Sequence, residues 1–238
     1  MRKYLIVLSL LIISCSSFAG DISVVGLVGQ WQYDMFVNNA NVEGSATTFG
    51  AQAKLSYPVG GQLAIGVDAI VNILKGKAEG SPYLNSGNDI FAGATVQYNL
   101  PFEGGTAYAA AGGGMRAFKL EVGETGEQLN TRQYKVSGAL LGGGFTYQAS
   151  PTMRVVGDAR FLLPLSAMQE MSDQGFDAEE KAEGGLLSLS VGAQLKIAEN
   201  MFLDARGRFS KEDFKGPIGA EKISGTSFGA AAGVQFLF

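Results

Sequence analysis

Histidine is absent from this chain of 238 residues, and cysteine occurs once, at Cys15. Chemistry that leans on imidazole is thereby closed, from Ser-His-Asp hydrolysis to histidine-bound zinc or haem. Proline is scarce, with six residues, which removes a Pro-rich linker. Charge is scarce too, at 17%, whereas a disordered chain needs high charge and few apolar residues. No run approaches the ~20 apolar residues of a membrane-spanning helix. A net charge of −4 argues against a nucleic-acid binder. Glycine is in excess, with 34 residues, about twice the usual ~7% share. Apolar residues are plentiful but finely interleaved with polar ones.

Residues 1–19 have the layout of a secretory signal peptide. Arg2 and Lys3 start it, an apolar core runs from Tyr4 to Ile13, and Ser17 and Ala19 provide small residues before a cut at Gly20. Ile12-Ile13-Ser14-Cys15 also passes as a loose lipoprotein box, which would cut before Cys15 and lipidate it. The favoured reading takes Cys15 as an apolar-compatible residue inside the signal. The mature domain is then 20–238, without cysteine.

After Gly20 the chain alternates with period two in blocks of strand length. The first block sets Val25, Leu27, Trp31, Tyr33 and Met35 on the face read as apolar, and Gln30, Gln32 and Asp34 on the other. In the third, Leu63, Ile65, Val67, Val71 and Ile73 oppose Gly66, Asp68 and Asn72. The eighth sets Leu187, Leu189, Val191 and Leu195 against Ser188, Ser190, Gln194 and Lys196. The fifth and sixth are less regular, and their triple glycines, Gly112–Gly114 and Gly142–Gly144, would permit bulges that switch the phase. In the clean blocks the apolar face carries no charge. A soluble barrel would show the reverse, with a dry interior and charges outside. A closed sheet with an apolar outer face and a polar lumen is a transmembrane antiparallel up-and-down β-barrel.

The joins separate two ends. Short turns at Pro58–Gly61, Leu100–Gly105, Ala149–Pro151 and Ala198–Asn200 alternate with longer polar joins at Val37–Ser45, Lys75–Asn88, Glu121–Thr131, Leu165–Gly184 and Lys211–Lys222. This predicts ten strands with both termini on the periplasmic side, in an all-β chain. An eight-strand alternative would turn two blocks, such as the fifth and sixth, into loops.

The chain ends with Gly233, Phe236 and Phe238 where bacterial outer-membrane barrels carry their assembly signal. It departs at Ala231, where those barrels usually have a polar residue. With the signal peptide and the alternation, the mature chain resembles the small outer-membrane β-barrels of the OmpA-barrel, OmpX and opacity-protein type. The resemblance implies insertion by the outer-membrane assembly machinery, contact with outer-membrane lipid and lipopolysaccharide, and no single activity. Trp31 and Tyr33 are expected near the outer membrane boundary, and Tyr57, Tyr98 and Tyr147 near the inner one, as girdle aromatics. Membrane enzymes of similar architecture (omptin proteases, lipid A deacylases and acyltransferases) all use histidine, so a chain without it is read as no enzyme. No motif calls for a cofactor or metal.

Lumen positions are assigned to Lys54, Arg154, Arg160, Lys196, Arg206 and Arg208, facing Asp34, Asp68, Asp158 and Asp204. The less regular blocks leave the facing of Arg116 and Lys135 open, with Arg116 included in the network. The bases and acids are expected to form an ion-pair network that fills a narrow barrel. The alternative is a basic-lined channel for small anionic solutes. In Leu165–Gly184, Glu170, Asp173, Asp177, Glu179, Glu180 and Glu183 face Lys181 alone, for a net of −5. The expected function is envelope integrity or adhesion to a host or cell surface through outer loops, as a monomer, with no nucleic acid.

Overall fold

Period-2 alternation cut by glycine-containing turns folds into antiparallel hairpins. The computed structural model describes residues 20–37, 40–76, 83–123, 130–171, 177–180, 183–215 and 222–238, and among them there is no helix. The strands are β1 (Asp21–Val37), β2 (Ala40–Gly60), β3 (Leu63–Gly76), β4 (Tyr83–Phe102), β5 (Gly105–Gly123), β6 (Asn130–Ser150), β7 (Met153–Met171), β8 (Asp177–Glu180), β9 (Glu183–Ala198), β10 (Met201–Lys215) and β11 (Lys222–Leu237). Strand β8 has only four residues and pairs with Ala167–Glu170 of β7. The other ten each pair with their neighbours, β6 with β7 and β7 with β9, and β11 returns to β1, so the sheet closes into a ten-strand barrel. Gly20 and Phe238 exchange backbone hydrogen bonds of 2.6 and 2.9 Å, which ties the two ends of the described chain together.

One end of the barrel carries four two-residue turns, Gly61-Gln62, Glu103-Gly104, Pro151-Thr152 and Glu199-Asn200. Gly61 and Gly104 sit at φ +57° and +79°, where a side chain would be strained. At Gly233 an added Cβ would lie 2.0 Å from the Val24 carbonyl oxygen, so glycine is what lets β11 close against β1 there. The triple glycines do not switch the phase. The ladder runs one-to-one through Gly112–Gly114 and Gly142–Gly144, and the β6–β7 register shifts instead between Ser137 and Gly138.

The joins expected to be long polar loops are largely strand. β2 alone has 21 residues, about 70 Å along the chain and roughly 50 Å along the axis at the usual ~40° tilt. An apolar band is only ~25 Å tall. The barrel therefore rises well past the height that lipid can cover, and its wall has two zones. In the short-turn half the outer face is apolar, with Ile65, Val96, Leu141, Val191 and Phe228 between 40 and 60% exposed. In the other half the outer face carries Lys119, Lys135, Lys211 and Asp213, all exposed, and the inner face becomes apolar.

That reversal corrects the facing of the first block. Trp31 and Tyr33 are not girdle aromatics: they point into the lumen at 4 and 5% exposure, with Met35 fully buried beside them. Asp34 is not in the lumen. It is exposed on the outer wall with Gln30 and Gln32. The register fixes this, since Trp31 lies opposite buried Ala46, and Val28 opposite Phe49 on the outside. Residues 1–19, with Cys15, lie outside the described residues.

Candidate functional site

The lumen is the candidate site, and it is filled in layers. In the half away from the short turns, strand ends converge as an apolar plug that includes Trp31, Tyr33, Met35, Leu84, Phe118, Leu120, Tyr134 and Phe214. Phe118 and Phe214 meet edge to face at 6.4 Å, and Trp31 and Tyr33 lie 5.0 Å apart. Burial holds the Tyr33 phenol above its ordinary pKa. Each large side chain taken out of water here contributes about 1.5–3 kcal/mol.

Below the plug sits the first charged layer. Arg116 on β5 lies in the lumen, where its Nε donates to Asp89 at 2.8 Å and its guanidinium pairs with Glu212 on β10. Asn72 donates to the same Asp89 at 3.0 Å, and Arg116 also covers the Phe118 ring at 4.1 Å. Asp89 and Glu212 are buried acids outside the expected network, because Glu212 lies in a join expected to be a loop and Asp89 beside one. Their signal was the alternation itself, Asn88 and Ile90 outside against Asp89 and Phe91 inside.

The second layer crosses the middle of the barrel. Asp158 on β7 receives Lys54 Nζ at 3.0 Å from β2, Arg206 Nη1 at 3.0 Å from β10, and Arg160 Nη2 at 3.2 Å. Arg160 also pairs with Asp68 on β3, which accepts from Gln52 at 2.9 Å. Arg206 turns its Nε to Asp204 at 2.7 Å, and Asp204 takes a further bond of 2.8 Å from buried Gln194. Removing such carboxylates from water is costly, and only this density of donors compensates it. Arg154 lies nearer the turns, over the Phe202 ring at 4.0 Å and bonded to Gln148 at 3.0 Å. Lys196 is exposed at the short-turn rim, and Lys135 is on the outer wall. Asp21, which accepts from Gln235 at 3.0 Å, is a further acid at that end.

Between and below these layers the described residues line cavities. One, of about 540 Å³, opens at the short-turn end and is lined by Lys54, Gln97, Tyr108, Arg154 and Arg206. Another, of about 100 Å³, lies between the plug and the charged middle. Tyr98 and Tyr147 stand exposed on the outer wall near the turns, with Tyr57 half-buried on the same side. Phe236 and Phe238 end the chain at that level. Of the acidic segment, Glu183 is exposed and meets Lys215 at 3.3 Å. Glu170 lies on β7, and Asp177, Glu179 and Glu180 on β8. Asp173 falls outside the described residues. Among the described residues, no group of three or more acids or cysteines could hold a metal ion.

No protein-family model matches the chain, and no curated protein sequence matches it. Solved structures do. The outer membrane protease OmpT from Escherichia coli matches with a TM-score of 0.60 at 13% identity, over 92% of this chain and 96% of that one. The attachment invasion locus protein Ail of Yersinia pestis gives 0.37 at 11% identity, over 91 and 99%. The Ralstonia pickettii toluene transporter TbuX gives 0.38 at 10%, over 92 and 90%. The first likeness is one of fold, and the fold is that of an outer-membrane β-barrel.

Proposed function

We propose that the chain is a closed, non-enzymatic barrel of the bacterial outer membrane that serves the envelope from its outer surface. The observation that carries this reading is the filled lumen: among the described residues, an apolar plug lies over ion pairs that cross the barrel. Polar solutes need a wetted path, and hydrophobic constrictions block conduction. The short-turn end, with Gly20 and Phe238, then faces the periplasm, and the far half stands above the outer leaflet. A wall that is charged outside and apolar inside there is built like a soluble barrel, so it is stable in water. It raises the acidic 165–184 segment above the membrane, for contact with lipopolysaccharide or another cell surface. The absence of histidine supports a non-catalytic role, since the barrel enzymes that the sequence resembles in architecture depend on it.

The test uses cells making the full chain and cells making a version with 170–183 replaced by a Gly-Ser linker of equal length. Attachment to cultured cells and exclusion of a large antibiotic are scored in both. A fall in either property, with the barrel still folded in the membrane, supports the reading. Unchanged values in both, including against cells lacking the protein, would contradict it.

A further inference from the structure

The small cavity has a chemistry of its own. Its wall is mixed: Trp31, Phe91, Leu162 and Leu186 supply apolar surface, and Arg208 and Ser188 stand with the paired Asp89, Arg116 and Arg160 on the polar part. Arg208 differs from the other lumenal cations. Lys54, Arg116, Arg160 and Arg206 each have a carboxylate within ion-pair distance, and Arg154 has Gln148 and the Phe202 ring. Among the described residues, the Arg208 side chain has no ion pair, hydrogen bond or ring contact. A partly buried guanidinium left this way is costly to keep, and it presents a donor fork suited to a carboxylate.

We propose that this cavity binds a small amphipathic monocarboxylate, with its carboxylate on Arg208 and Ser188 and its short alkyl tail against Trp31, Phe91 and Leu162. The size fits. An apolar cavity of roughly 150 Å³ holds benzene, so about 100 Å³ suits an acid of two to four carbons. The larger cavity that opens at the short-turn end adjoins this one, since Arg160 and Leu140 line both, and the proposed path of entry runs past them. Arg160, held by Asp68 and Asp158, stands between the two. The ligand enters and leaves by the same end, so binding is compatible with a lumen closed to conduction.

Trp31 is the sole tryptophan of the chain and lines the cavity, which makes it a built-in reporter. The refolded 20–238 barrel is titrated with sodium butyrate in carboxylate-free buffer while Trp31 emission is followed. Sodium chloride and n-butanol serve as controls for charge without tail and tail without charge. A saturable change with butyrate alone is expected, weakened about tenfold or more by Arg208→Gln. Ser188→Leu, which fills the cavity and keeps the arginine, is expected to abolish it. No saturable change in the folded barrel would overturn the proposal, as would an equal response to chloride. Equal butyrate responses in either folded variant and the unmodified barrel would overturn it too.

Discussion

The ammonium of Lys54 lies 3.0 Å from the carboxylate of Asp158, and the two strands that carry them, β2 and β7, stand opposite each other in the ring. The bond therefore spans the lumen. Asp158 is the shared acceptor for Lys54, Arg160 and Arg206, so one carboxylate ties together strands from three sides of the barrel.

Removing that acceptor leaves three cations facing one another. Asp158→Asn is expected to destabilise the barrel by about 3–5 kcal/mol, read from urea unfolding in lipid vesicles. Lys215→Ala, which removes an exposed pair with Glu183, is expected to cost less than about 1 kcal/mol. Equal effects would contradict the buried network.

The two-zone wall predicts opposite tolerances on one barrel. Val191, 60% exposed on the apolar belt, should lose roughly 2–4 kcal/mol on change to Arg. Phe118, 2% exposed inside the upper half, should lose about 3–5 kcal/mol on change to Ala. Both are measured by the same unfolding assay.

The facing of the first strand is open to direct chemical test. With Cys15 removed at export or replaced, Asp34→Cys is expected to react quickly with a water-soluble maleimide in the folded barrel, and Trp31→Cys slowly. Rapid labelling of the second alone would restore the facing expected from the sequence.

The contrast between these residues shows what the sequence could reveal. Where lipid surrounds the wall, one rule holds, apolar outside and polar inside, and it placed Lys54, Asp68, Asp158, Arg160, Asp204 and Arg206 in the lumen. Above the lipid the rule inverts. Lys119 and Glu121 alternate with Phe118, Leu120 and Val122, and there the charged face is the outer one. A strand that crosses the boundary carries both patterns in opposite phase, which is why the fifth and sixth blocks are irregular in sequence. It is also why the pattern of β1, dominated by its upper half, gives the opposite facing. Glu212 was hidden for the same reason, as a lone inward acid flanked by the outward charges Lys211 and Asp213. The pairing of Arg116 with Glu212 joins strands 96 residues apart in sequence, and no local pattern encodes that.

Closure of the lumen is the central claim, and single-channel recording of the refolded 20–238 barrel in a planar lipid bilayer tests it most directly. Protein shown to be folded is expected to give no steady openings. Steady, anion-selective openings that change when Arg206 and Arg208 are neutralised would contradict the account and make the barrel a channel.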